Sequence, residues 1–317
     1  MPAFLTHYLF ADELLAKDEQ YREVTILGSQ GSDPLFYYGY KIFGKRKALA
    51  ETRQYGTTIH HIDLSGFVNF VFLKIKKTNN ELEKEVLSAY LKGFLMHYVV
   101  DRNCHPYVFY RSGFPVEGEP KRNYTFIHSL FESRVDALVF KYKNLPRVGP
   151  KKPTKIKNEH LKIVSNVYYE FAIEVLNENK ITPLSFYQAV KDMTFANSFL
   201  YSRTGLKKKF IEKHLRYTLY NSMSTPLKVE DDDKVDYLNL KKSMWMHPVT
   251  GEVSTNPFVE LLDIAKEDFS VASSLFEIED VELLKQKVES FVNNIDHDGS
   301  KVGATMKFSD CFFSEDV

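Results

Sequence analysis

Cysteine is nearly missing from this chain: Cys104 and Cys311 are the only two in 317 residues, and they do not form a CxxC pair. That excludes a disulfide framework and a cysteine-rich structural zinc knot. Neither sign of charge is in excess, with Lys+Arg and Asp+Glu at 42 each. No global basic field is available to hold a polyphosphate backbone, so no stable nucleic-acid binding is expected. No apolar run approaches the ~18 residues of a membrane span, so no transmembrane segment is expected. The opening Met1-Pro2-Ala3 carries neither a basic n-region nor a long apolar h-region, so the expectation is a cytoplasmic protein without a signal peptide. Alternating apolar and polar strand patterns are also lacking.

Helical periodicity is present instead. Apolar residues recur at three- and four-residue steps in Glu81 to Tyr98, Phe126 to Tyr142 and His160 to Asn179. The same pattern returns around Leu184 to Leu200, Leu206 to Ser222, Pro257 to Phe269 and Asp280 to Asn294. At 44% hydrophobic residues the chain can bury a large core. The expectation is an all-α, multi-helix bundle. The proline-punctuated, basic stretch from Tyr142 to Asn158 reads as an exposed connection between residues 1–145 and 159–317. The second half is expected to be a helical extension packed on the same bundle.

Six of the ten histidines fall within the first 132 residues. Three sit at helical steps with carboxylates: His97, Asp101 and His105 form H-x3-D-x3-H, and His128 with Glu132 repeats the step as H-x3-E. At ~100° and ~1.5 Å per residue, the first three share one helix face, with His97 and His105 about 12 Å apart along the axis. That is too far for both to bind one ion, whereas the two oxygens of Asp101 can bridge two cations. The spacing therefore predicts two or more metals, with His97 and Asp101 on one and His105, His128 and Glu132 on another. A lone histidine on an apolar helix is more often a packed core residue. An aspartate carried with it toward a buried face needs compensation, which a cation provides.

The order of His7 in FLTHYLFADELL, Asp33 in GSDPLFYYG, His60 or His61 in TTIHHID, then H-x3-D-x3-H and H-x3-E resembles the zinc-dependent phospholipase C family. That group is related to the bacterial phosphatidylcholine-hydrolysing phospholipase C and to the catalytic domain of glycosylphosphatidylinositol phospholipase D. The S1/P1 nucleases are more distant relatives. The short H-x3-D-x3-H spacing is closer to the glycosylphosphatidylinositol branch. The resemblance covers roughly residues 3 to 140 and implies an all-helical bundle of phospholipase C/P1 nuclease type holding two or three zinc ions. It assigns one zinc to Asp33, one of His60 and His61, His97 and Asp101, and a second to His105, His128 and Glu132. A third would take His7, Asp101 and the amino terminus, which removal of Met1 would place on Pro2. Asp33 would bind zinc or serve as general base.

The implied activity is zinc-dependent hydrolysis of a phosphoester, phospholipase C-like phosphodiester cleavage first, with a phospholipid as the expected substrate. A nuclease or phosphomonoesterase on the same scaffold and a noncatalytic, metal-stabilised helical protein are the alternatives. Phe36, Tyr37, Tyr38, Tyr40, Tyr107, Phe109 and Tyr110 flank the ligands and either line a pocket or wall the bundle. Trp245, the only tryptophan, either packs or covers an entrance. His160, His214, His247 and His297 read as ordinary surface or core residues, and NNIDHDG as a polar turn. The basic group Lys41, Lys45, Arg46, Lys47 and the acidic run Glu230 to Asp233 read as solvated surface.

Overall fold

A computed structural model of the chain describes residues 4–39, 46–116, 124–146, 148–149, 151–200 and 235–312. Among these, helices α1 to α10 span Phe4–Leu14, Arg22–Gly28, Arg46–His60, Ser65–Lys77, Glu81–Ser112, Tyr124–Tyr142, Asn158–Glu174, Ser185–Leu200, Phe258–Ser274 and Val281–Val292. Strand is confined to a small antiparallel hairpin, β1 (Trp245–Met246) on β2 (Val253–Ser254), with Trp245 opposite Ser254. The architecture is all-helical. The segments Lys41 to Lys45, Leu206 to Ser222 and Glu230 to Asp233, together with Tyr40 and His214, lie outside the described residues.

The 32-residue α5 is the axis on which α1, α2, α4, α6, α7 and α9 pack. It starts where the Asn80 side chain accepts the Glu83 N–H at 3.2 Å, with Glu81 and Glu83 in the first turn beside the positive end of the helix dipole. The helix runs well past Tyr98, the limit suggested by periodicity, and through Pro106 to Ser112. Pro106 has no N–H to donate to the carbonyl of Arg102, so one rung of the helix ladder is lost there. The turn at Gly299 (φ +74°) packs against that place. A Cβ on Gly299 would run into Arg102 O and lie 2.6 Å from Pro106 Cγ.

Three further contacts set the depth of the site. Asp136 on α6 accepts the backbone N–H groups of Leu5 (2.9 Å) and Thr6 (2.7 Å) and the Thr6 hydroxyl (2.7 Å). It thereby satisfies donors that the first turn of α1 leaves without helical acceptors, and it fixes the approach of His7. The Gly31 carbonyl accepts both Tyr90 Oη (3.0 Å) and Tyr168 Oη (3.2 Å), which are 2.7 Å apart. This anchors the turn that leads into a single 3-10 turn, Asp33–Tyr37. Tyr168 in turn stacks on Phe186 with centroids 4.1 Å apart, tying α7 and α8 to the same anchor.

Candidate metal centre

Five elements deliver imidazoles and carboxylates to the C-terminal half of α5. His7 comes from α1, Asp33 from the 3-10 turn, His60 from the last residue of α3, His97, Asp101 and His105 from α5, and His128 and Glu132 from α6. Asp101 is the hub. Its Oδ1 lies 3.0 Å from His7 Nε2 and 3.6 Å from His105 Nε2, and its Oδ2 lies 3.0 Å from His97 Nε2. The carboxylate thus faces both ends of H-x3-D-x3-H with different oxygens. Asp33 Oδ1 is 2.9 Å from His60 Nε2 and 3.9 Å from His97 Nε2. Glu132 Oε1 lies 3.1 Å from His128 Nε2 and 3.4 Å from His105 Nε2.

The end of α3 gives the two adjacent histidines different surroundings. His60 faces Asp33, while His61 lies at the rim of the same cleft with its side chain 52% exposed, 3.6 Å from Asp298 and 3.8 Å from Asp296. His297, read from the sequence as an ordinary surface or core residue, is in the core beside Asp101. It is fully buried, with Nδ1 2.9 Å from Asp101 Oδ2 and its ring 4.7 Å from that of His60 and 5.1 Å from that of His97. NNIDHDG is a turn, closed by a bridge between Ile295 and Lys301, but it is folded into the centre. The sequence signal was a histidine flanked by two aspartates, which in a polar segment is easily read as solvated. Among the other late histidines, His160 is buried 3.2 Å from Glu23, and His247 holds the hairpin turn.

Backbone and hydroxyl partners orient the rings. A carbonyl can only accept, so His105 donates Nδ1–H to His297 O (2.6 Å) and His60 donates Nδ1–H to Gly56 O (2.8 Å). In both rings Nε2 is left facing the carboxylates, the arrangement that sets tautomer and direction in metal-binding histidines. His128 Nδ1 lies 3.4 Å from Ser112 Oγ.

Electrostatics agree with a cation. Burial opposes charge on Asp33, yet His97 and His60 hold its carboxyl below the usual carboxylate range. Burial likewise opposes charge on Asp101 and Glu132, and adjacent histidines lower both. Burial lowers His105, but Asp101 and Glu132 overcome it and push the group up to about 10. His297 is pulled down to about 3, burial outweighing Asp101. The carboxylates and His297 are therefore in the states a cation needs, and His105 would have to give up a proton to ligate one.

Among the described residues, Asp33 Oδ2, His7 Nδ1, His97 Nε2 and His297 Nε2 are buried without a hydrogen-bond partner. His97 Nε2 sits 3.0 Å from Asp101 Oδ2 without the alignment of a hydrogen bond. Such burial costs ~1–3 kcal/mol per group unless something else satisfies it, and a divalent ion between nitrogen and carboxylate does so. Three donor groups have ligand atoms close enough to share an ion: His60, His97, Asp101 and His297; His7, Asp33 and His97; and His105, His128 and Glu132. Imidazole and carboxylate donors without thiolate suit zinc. His61, Asp296 and Asp298 form a fourth, more exposed group.

A cleft of about 310 Å³ reaches this end of the bundle, lined by Asp33, His60, His105 and His128 and walled by Phe36 and Phe109. The aromatic residues flanking the ligands are thus divided, because Tyr37, Tyr107 and Tyr110 are buried in the core and Tyr38 packs against it. Trp245 does not line the cleft; it packs edge-on against Tyr107 at 5.4 Å and donates Nε1–H to Asn256 O (3.1 Å). No described helix is long and apolar enough to cross a membrane.

Comparison with curated proteins and with solved structures gives no match. The model of the zinc dependent phospholipase C family matches residues 6–217, more than half of the chain, a span that holds the ligand set from His7 to Glu132 and excludes His297. With helices, ligand order and matched span in agreement, the chain belongs to the zinc-dependent phospholipase C family.

Proposed function

We propose that the chain hydrolyses phosphodiesters by phospholipase C-like cleavage, with water as the attacking group and a phospholipid as the substrate. Family membership supports the class, and one observation carries the reading. The three-donor group His105, His128 and Glu132 opens on the cleft that Asp33 and His60 also line. Three protein donors beside an open position is the ligand count of a catalytic zinc, four the count of a structural one. The noncatalytic alternative would need this group closed.

One ion would be held by Asp33, His60, His97 and Asp101, and a second by His105, His128 and Glu132. His7 and Asp101 would serve a third. Bound zinc supplies the positive charge that polarises a phosphoryl oxygen and makes water acidic enough to attack near neutral pH. Asp33 has Oδ1 engaged by His60 and Oδ2 without a partner. It lines the cleft, so Oδ2 is the atom to orient the attacking water and take its proton. The His105 and His60 N–H bonds to backbone carbonyls hold both rings against rotation while charge develops.

Phe36, Phe109, Phe114 and Tyr124 give the cleft an apolar face, and no lysine or arginine lines it among the described residues. A phosphodiester attached to an apolar body would bury that body against the rings. The test is a panel of phospholipids in mixed micelles, with release of diacylglycerol followed beside dinucleotide and phosphomonoester substrates. Diacylglycerol release that disappears on chelation is expected. Turnover of nucleotides or monoesters alone refutes the substrate, and no turnover of any of them by zinc-loaded protein refutes the catalytic reading.

A further inference from the structure

We propose that His297, supplied by the C-terminal turn and lying outside the family-matched span, is a ligand of the ion held by His60, His97 and Asp101, at the position that the ordered motifs give to Asp33. The proposal rests on the reading of this centre as a zinc site and adds to it a donor that the ordered motifs do not contain.

The first argument is the spacing of donor atoms. Ligands about 2.05 Å from a common tetrahedral zinc lie about 3.3 Å from one another. Asp101 Oδ2 has His97 Nε2 at 3.0 Å, near that spacing and without hydrogen-bond alignment, and His297 Nδ1 at 2.9 Å in a hydrogen bond that leaves His297 Nε2 buried without a partner. His60, His97, Asp101 and His297 offer ligand atoms that all lie within 4.8 Å of one another, and all four residues are buried.

The second argument is that the turn is built to deliver this ring. The backbone N–H of His297 donates to His60 O (3.3 Å), and its carbonyl accepts His105 Nδ1–H (2.6 Å). One peptide segment therefore touches donors from two of the candidate ion groups. Tyr98 Oη donates to Ile295 O (2.9 Å), and the Asp298 N–H is taken by Asp296 Oδ1 (2.9 Å). Gly299 closes the segment against α5 at the rung that Pro106 removes, where a side chain would not fit. Burying a fully enclosed imidazole beside two others, with a carboxylate shared among them, is unfavourable without a cation to accept their lone pairs. A histidine that only packed would not need Asp101.

The alternative role, a ring that merely orients Asp101 through a hydrogen bond, predicts different behaviour for a glutamine. His297→Gln keeps an amide able to bond Asp101 but is a poor zinc ligand, and His297→Ala removes both functions. Zinc per chain is measured for wild type and both variants after dialysis against graded chelator, with circular dichroism as the check on folding. One zinc per chain is expected to leave both variants at chelator levels at least tenfold below those the wild type withstands, while the remaining zinc stays. Wild-type retention in His297→Gln overturns ligation and leaves a positioning role.

A measurement on the unaltered protein covers the case in which neither variant folds. In full-length protein loaded with an NMR-active cadmium isotope, scalar coupling from the metal to an imidazole nitrogen of His297 is expected. Coupling to His97 without coupling to His297 overturns the proposal. Failure of wild-type protein to cleave any phosphoester would refute the proposed function without altering either metal readout, so the two ideas fail separately.

Discussion

Replacing Gly31 with alanine strikes the centre through the backbone rather than through a ligand. Gly31 has φ +52°, where an L-residue costs ~1–2 kcal/mol. The new Cβ would also collide with the His97 ring, lying 2.5 Å from its Nε2. His97 is fully buried between Asp33 and Asp101, so its ring has no free volume to retreat into. Overpacking of this kind adds ~1–3 kcal/mol, for a total of ~2–5 kcal/mol. With an unfolding entropy of ~0.7 kcal/mol/K for a chain of this length, Tm should fall by ~3–7 °C. Displacing the ring should also weaken zinc retention ~10–100-fold. Calorimetry and zinc content after chelator dialysis read the two effects. Gly31→Asn relieves the backbone strain, since asparagine tolerates this conformation, but keeps the collision, so it should lose zinc as Gly31→Ala does. Gly66→Ala, where a Cβ meets nothing within 4 Å, should be neutral or slightly stabilising. Wild-type Tm and zinc retention in Gly31→Ala would refute the packing argument.

Four other outcomes are expected. Asp101→Asn should lose zinc and at least ~100-fold in activity while keeping its helical circular dichroism, because one oxygen faces His7 and His105 and the other His97; retained activity would remove Asp101 as the bridge. His60→Ala should release zinc and His61→Ala should change retention less than twofold, and the reverse result would reassign the ligand. Asp136→Ala leaves three buried donors without their acceptor and should destabilise the protein by ~2–4 kcal/mol in chemical denaturation. In chelated protein His105 has its folded pKa raised from 6.5 to about 10, so its contribution to stability is complete below pH 6.5 and is lost as pH rises toward 10. The Tm of chelated protein should therefore fall across that window, and a Tm that rises there would refute the assignment.

Several parts of this molecule are legible along the chain because they depend on local steps. Three- and four-residue periodicity marks α5 to α10, where one helix face is apolar, and H-x3-D-x3-H places three donors on one face of α5 through helix geometry alone. The extension of α5 through Pro106 is not legible that way, because proline argues for a break and packing from α9 and the Gly299 turn overrides it. The order of His7, Asp33, the histidine pair, α5 and HSLFE is enough to suggest the family and its metal.

What the chain alone determined, then, is the class of fold, the family and the types of donor brought together. Only the tertiary structure decided which neighbour faces inward. His60 and His61 differ by one helical step of ~100°, and the packing of the end of α3 against Asp33 gives them different surroundings. Phe36 was separated from Tyr37 by one step of a 3-10 turn, and Phe109 from Tyr107 by two helical steps, about 200°. His297 is 196 residues from Asp101, and their 2.9 Å approach follows from a turn seated on a proline-interrupted helix. No periodicity in the chain encodes that contact, because it is made by the folding back of a segment whose own composition asks only for solvent.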